Sequence, residues 1–186
     1  SSSDISQAVG HVHQWRGSSF YCLNVPGLDT TWVFDFLTQS WHERAELVDG
    51  VYLPYRAVDY SVFGNKSLML GSDGVLYQLD ADVYDNAGDV LVRDRISPHN
   101  ATPDWKRGFF GSFQIDCERG AGGVAMMRYS NDGGSTWSDW RQRPMGELGK
   151  YQQRLIWNLS GSARDRVWQV RCTDAVPFNI VHAQAL

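Results

Sequence analysis

The chain has 186 residues and a mass of 21.0 kDa, room for one ordinary domain or two small ones. With 42% hydrophobic and 20% charged residues it can fill a core and keep a soluble surface, which excludes disorder as a description of the whole. The net charge of −4 is uneven: residues 1–98 carry 13 acidic and 6 basic side chains, residues 99–186 carry 8 and 11. A half that is only weakly basic and has no Lys/Arg cluster does not read as a nucleic-acid binder. The split points instead to two structural units or to a polar assembly surface.

In chain order, Ser2–Val9 is expected to hold one short helical turn, and strands follow. His11-x-His13 places two imidazoles on one face of a strand, where a metal could sit. No third ligand is indicated, so packing or edge polarity is the simpler reading, and no metal or cofactor is expected. In Thr31–Phe36, Trp32, Phe34 and Phe36 point one way and Thr31, Val33 and Asp35 the other. Phe113, Ile115 and Cys117 alternate with Gln114, Asp116 and Glu118; Leu155, Trp157 and Leu159 alternate with Ile156 and Asn158. Trp168, Val170 and Cys172 alternate with Val167, Gln169 and Arg171. Period two marks strands with one buried face. Turn signals separate them: Pro26-Gly27, Asp49-Gly50, Gly64-Asn65, Asp73-Gly74, Asn86 through Gly88, and Asp132-Gly133-Gly134. The expectation is an all-β, antiparallel protein.

A weak repeat links Trp32–Asp35 and Ser40–Glu43 with Val75–Asp80 and Leu91–Asp94. A propeller blade takes about 40–50 residues, and residues 11–55 and 55–98 fit two such units. The two prolines of Ser97–Pro103 mark the expected boundary, dividing the chain into 1–98, two blade-like antiparallel units, and 99–186. The second half is either a β-sandwich or further blades. At four strands per blade the chain yields at most about four blades, too few for a six- or seven-bladed ring.

No apolar run approaches the roughly 20 residues of a membrane helix. No basic stretch followed by an apolar one opens the chain, so no signal peptide is expected. The start at Ser1 reads as a mature or excised piece. Cys22, Cys117 and Cys172 are odd in number and lie outside any C-x-x-C pair, so they read as reduced core residues. Arginine supplies 14 of the 17 basic residues, a lean toward ordered contacts.

The sharpest motif is Ser130-Asn131-Asp132-Gly133-Gly134-Ser135-Thr136-Trp137, which resembles the Asp-box with one spacing variant. Ser130, Asp132, Gly134, Thr136 and Trp137 would form its structural turn: the acid accepts backbone N–H bonds, the glycines allow positive φ, and the indole packs back under the hairpin. Sialidases use this turn as a fold staple away from their active sites. A glycosidase needs two carboxylates across a cleft, and Asp59, Glu118, Asp132 and Glu147 qualify only by type. No catalytic residue is assigned. Trp32, Trp157 and Trp168 are expected to fill cores. Trp41, Trp105, Trp137 and Trp140 lie beside turns and arginines, as stacking partners or interface anchors. Trp41, Trp140, Arg141, Arg143, Arg164 and Arg166 are the candidate interface residues.

Longer runs carry a resemblance. Arg128–Trp137 followed by Leu148–Trp157, Gly161–Val170 and Pro177–Leu186 resembles the C-terminal region of the packaged-DNA stabilisation, or tail hub (nozzle), proteins of podoviruses. In the first half Phe20–Leu23, Thr31–Asp35, Trp41–Arg44 and Gly74–Asp80 fit the same family. The resemblance covers about Gly10 to Leu186; members have a long N-terminal part that is not in this chain. It implies a non-enzymatic virion component made in the host bacterial cytoplasm and built into the tail. Copies, six by the resemblance, would ring the channel below the portal and its adaptor protein, retain packaged DNA, and carry the needle or fibre proteins. Two other classes stay open: a sialidase-like or other glycan hydrolase, and a carbohydrate-binding module.

Overall fold

The computed structural model describes residues 5–101, 103–118, 120–150 and 153–186. Its regular structure is antiparallel β throughout, apart from two 3-10 turns. The chain divides into two compact units, Ser1–Val83 and Tyr84–Leu186. The helical turn expected at Ser2–Val9 lies partly outside the described residues; within them, Ile5–Gln7 form a 3-10 turn.

The first unit holds two up-and-down meanders. One runs through β1 (Val9–Trp15), β2 (Ser18–Asn24), β3 (Thr31–Asp35), β4 (Ser40–Val48) and β5 (Val51–Pro54). The other comprises β6 (Ala57–Phe63), β7 (Lys66–Gly71) and β8 (Leu76–Leu79). Asp49 and Gly50, at φ 50° and 82°, make the β4–β5 turn, and Arg16 and Gly17, at 49° and 84°, make the β1–β2 turn. Two consecutive positive φ angles match the right-handed twist of a hairpin.

His11, His13, Cys22, Thr31, Val33 and Glu46 are buried on the first sheet, and Ala57 and Met69 on the second. This reverses the expected faces of β3. Its alternation holds, but Thr31 and Val33 face inward while Trp32 is 37% exposed and Phe36 52%. The aromatics pack on one another instead, with Phe34 5.2 Å from both Phe36 and Trp41, and Trp41 6.5 Å from Tyr21. Period two separates two faces without saying which one is covered.

The two sheets are tied by polar bonds as well. Asn24 Nδ2 donates to Ala57 O at 3.0 Å, and Thr31 Oγ1 accepts the Tyr55 N–H at 2.9 Å. Buried Glu46 takes Arg56 Nε on both carboxylate oxygens at 2.8 Å. Arg56 Nη1 reaches Tyr77 Oη at 3.1 Å, and that hydroxyl donates to Asp73 Oδ2 at 2.6 Å.

The second unit is a sandwich. One sheet has the order β13 (Arg141–Pro144), β12 (Val124–Ser130), β16 (Val167–Cys172), β9 (Arg93–Ile96). The other is β14 (Leu155–Asn158), β11 (Ser112–Cys117), β17 (Ile180–Ala185); a short ribbon pairs β10 (Gly108–Phe109) with β15 (Ser162–Ala163). Phe113, Ile115, Cys117, Leu155 and Trp157 from one sheet share a single core with Ala125, Met127, Trp168, Val170 and Cys172 from the other. Phe113 lies flat on Trp168, ring centres 4.4 Å apart at 11°. The inward residues read from the alternation of β11, β14 and β16 lie here except Leu159, which follows β14 at φ 58° and is 89% exposed. All three cysteines are buried and unbridged.

The boundary differs from the one expected at Pro98. β9 pairs with β16, Arg93 opposite Cys172 and Ile96 opposite Gln169, so the chain from Tyr84 onward belongs with the second unit. Leu91–Asp94 is therefore not a return strand beside β8, and the second copy of the weak repeat is not completed. Of the Ser97–Pro103 segment, Thr102 lies outside the described residues.

Removing one partner of a buried ion pair leaves an uncompensated charge. Glu46→Ala should destabilise the first unit by about 3–5 kcal/mol, read by urea denaturation followed with tryptophan fluorescence. A loss within experimental error would show that the pair is dispensable.

Candidate functional site

The Asp-box-like segment forms a closed hydrogen-bonded turn after β12. Buried Ser130 donates its hydroxyl to Asp132 Oδ1 at 2.6 Å and accepts the Gly134 N–H at 2.8 Å. The Asp132 carboxylate takes the Thr136 N–H at 2.8 Å and its hydroxyl at 2.6 Å. The Ser130 and Thr136 bonds favour the ionised form and hold the Asp132 pKa down to about 2. Gly134 has φ 99°, and the atoms of Trp137 lie over its α-carbon. Every acceptor on Asp132 is thus engaged inside the turn, a structural rather than a reactive arrangement.

Beyond the turn, guanidinium groups and indoles stack along the outer face of the four-stranded sheet. Arg128 lies 4.6 Å from the Trp137 ring centre and 4.5 Å from Trp140, and Arg171 covers Trp140 at 4.9 Å. Arg128 Nε donates to Gln169 Oε1 at 2.7 Å, and Gln169 Nε2 to Asp94 Oδ2 at 3.0 Å. Arg171 is bidentate on Asp94, at 2.7 and 2.6 Å. Arg128 and Gln169 are directly opposed across β12 and β16, as are Arg171 and Asp94 across β16 and β9. The anchors of these two arginines were missed in the sequence because Gln169 is 41 residues from Arg128 and Asp94 is 77 from Arg171.

Arg141 and Arg143 close one margin of the sandwich. Arg141 Nη2 donates to Asn158 O and Arg143 Nε to Ile156 O at 3.1 Å, while Trp157 Nε1 donates back to Arg141 O at 2.8 Å. Their guanidinium groups occupy the open carbonyls of β14.

Arg166 is a correction. Expected at an interface, it is 1% exposed. Its guanidinium lies 4.5 Å from Phe110, 4.1 Å from Tyr129 and 5.2 Å from Trp168. Nε donates to Asn131 Oδ1 at 2.9 Å and Nη1 to Ser160 O. Burial lowers its pKa from the usual arginine value, yet a guanidinium stays protonated in proteins. Its short loop context, Arg164-Asp165-Arg166, reads as surface; only its place beneath the rings removes it from solvent.

Arg164 is exposed, and with Arg107, Asn131, Ser162 and Ala163 it lines an open concavity of about 420 Å³. Trp41 is 52% exposed on the aromatic face of the first unit, and Trp105 67% exposed in the second. The four carboxylates do not form a described pair. Asp59, in the first unit, accepts the N–H of Tyr60; Glu118 accepts Asn179 Nδ2 at 2.6 Å; Glu147 pairs with Lys150 at 2.6 Å.

His11-x-His13 gains what the sequence left out. Cys22 lies directly opposite His11 across β1 and β2, and one ligand atom from each of His11, His13 and Cys22 falls within 4.8 Å of the others. The two-residue turn at Arg16-Gly17 was the available signal, since counting back from it sets this register. Burial, with Arg44 next, brings the His13 pKa down to about 4. Burial also lowers that of His11 and raises that of the Cys22 thiol.

Residues 100–186 match the model of a family described as bacteriophage P22 Gp10, beta-sandwich. That stretch is a little under half of the chain. The two-sheet sandwich described above agrees with that description, and the match supports a phage tail structural protein. Tyr151 and Gln152, part of the runs that carried the podovirus resemblance, lie outside the described residues. No curated protein matches the chain. Among solved structures it is similar to a glycoside hydrolase family 43 arabinoxylan arabinofuranohydrolase from Bacillus subtilis, in complex with cellotetraose. The identity is 14% and the TM-score 0.33, over 95% of this chain and 53% of that one. The chain thus spans about half the length of that enzyme, and a likeness at this score carries no argument about fold or activity. No helix among the described residues is long and apolar enough to cross a membrane.

Two substitutions test the geometry of the sandwich. Ser130→Ala removes the hydroxyl at the centre of the turn and should cost about 1–3 kcal/mol, the penalty of buried partners left unpaired. Arg166→Ala should cost about 2–5 kcal/mol, as for other long buried side chains cut to alanine. Arg166→Lys should restore little, because an ammonium lacks the planar fork that fits three rings and two acceptors. Denaturant unfolding of each variant measures these losses, and a fully stable Arg166→Lys would contradict the stacking account.

Proposed function

We propose that the chain is the C-terminal portion of a tail hub, or nozzle, protein that assembles below the portal and its adaptor and helps retain packaged DNA. The observation that carries this reading is the match of residues 100–186 to the P22 Gp10 sandwich family. The podovirus resemblance of the first half extends it along the chain. The two meanders of the first unit are of the up-and-down kind used in propeller blades, and blades are our reading of them. The Asp-box-like turn is read in the same way, as a staple of the hairpin.

Hub copies arranged in a ring, six by the resemblance, need two unlike faces that complement each other. The first unit has 10 acidic and 4 basic side chains, the second 11 and 13, and this opposition is our basis for an electrostatic joint. The interface is best sought at exposed groups: Arg164 with Arg107 around their concavity, and Trp41 on the aromatic face. Arg141, Arg143 and Trp140 are only partly exposed, and Arg166 is withdrawn from the interface set. The needle or fibre proteins would attach to the same assembly.

The charge-reversed pair Arg107→Glu and Arg164→Glu, placed in the complete protein, tests the joint. Light scattering of that protein with its adaptor should show impaired ring assembly, and virions carrying it should leak DNA. Unchanged assembly would refute the electrostatic joint. Virions that lack the protein altogether and still retain their genomes would refute the hub.

A further inference from the structure

We propose that His11, His13 and Cys22 form a zinc site inside the first unit, with a fourth position left for water. The three residues are 7%, 2% and 0% exposed, and their ligand atoms already cluster within 4.8 Å. Two sit at i and i+2 on β1 and the third faces them from β2, so the rigid β1–β2 hairpin supplies the whole set. Tetrahedral zinc, with bonds of about 2.0–2.3 Å, holds its ligand atoms roughly 3.3–3.8 Å apart. His13 Nδ1 and Cys22 Sγ stand at 3.6 Å, within that range. His11 must close by about an ångström, a rotation of its ring on an otherwise fixed strand.

His11 supplies the independent observation. Both of its ring nitrogens are buried without a hydrogen-bond partner. A buried polar atom left unpaired costs about 1–3 kcal/mol, and a core position on a strand is easily filled by an apolar residue instead. An imidazole kept there, aimed at a second imidazole and a thiol, is accounted for by an ion that all three can bind. The donor set is two borderline nitrogens and one soft sulfur, which suits zinc and disfavours magnesium or calcium.

Arg44 is the opposing group. Its Nη1 lies 3.3 Å from His13 Nε2. In that contact the proton of His13 is on Nδ1, pointing to Cys22. Zinc on Nδ1 moves the ring proton to Nε2, so Arg44 must give up the bond. It retains the Phe20 and Tyr55 ring faces, 5.0 and 6.0 Å away. The thiol proton of Cys22 leaves to solvent as the Zn–S bond forms, and the thiolate offsets one of the two charges of the ion.

The test uses the 186-residue chain, zinc alone, and cobalt(II) as its coloured substitute. One equivalent of cobalt should give a thiolate-to-metal charge-transfer band, and one equivalent of zinc should abolish it. Cys22→Ser should remove the band and weaken zinc binding at least as much as the roughly 100-fold lost with an outer-shell partner. The companion variant Cys117→Ala/Cys172→Ala, altered only in the other unit, should keep the band and so assigns it even if Cys22→Ser fails to fold. Absence of the band in the unaltered chain overturns the proposal, as does a band that survives Cys22→Ser or disappears with the companion variant. The outcome is separate from hub assembly, so either reading can fail alone.

Discussion

Arg166 carries its charge against the faces of Phe110, Tyr129 and Trp168, and one end of the sandwich is arranged around it. Its backbone pairs with Asn100, its Nε holds Asn131 in the Asp-box-like turn, and its Nη1 holds Ser160. Three separate stretches of chain therefore meet on one residue. Without a cation there, the Asn131 and Ser160 acceptors would lose their donor and the rings would border a void. Cation–ring contacts out of water contribute up to about 2 kcal/mol each, so the arrangement is held by electrostatics and packing together. Trp168 links it to the core through its flat contact with Phe113.

The same chemistry explains the preference for arginine over lysine. Arg141 and Arg143 bond the open carbonyls of β14, while Arg93 reaches Val176 O and Asp174 O beside β9. Arg128 and Arg171 are stacked on indoles and tied to Gln169 and Asp94. A planar fork with several directed donors can do this; a single ammonium on a flexible stem does so poorly. The bias that suggested interfaces in the sequence is largely used within the fold.

What the sequence disclosed was local, and what it concealed was pairing between distant segments. Alternation identified the core faces of β11, β14 and β16, and the order of short motifs pointed to the tail family. For β3 the alternation was right and the inward face wrong: Trp32 and Phe36 are outside because Val33 lies in the register row of buried Cys22 and His11. The boundary at Pro98 was misplaced because β9 joins a strand more than seventy residues later. Arg166 looked like surface because nothing local reveals the rings above it. Of the proposed site, the His pair was visible and the cysteine was one register count away.

The arginine stitching at β13 and β14 also limits how this protein can join anything else. A sheet grows edge to edge only where a row of backbone groups is bare, and on this flank the carbonyls are already taken. Neighbours must then be met through side chains, as parts that touch rather than strands that merge. Such seams can be formed and undone without refolding either piece, and they give runaway fibril growth no foothold on that flank.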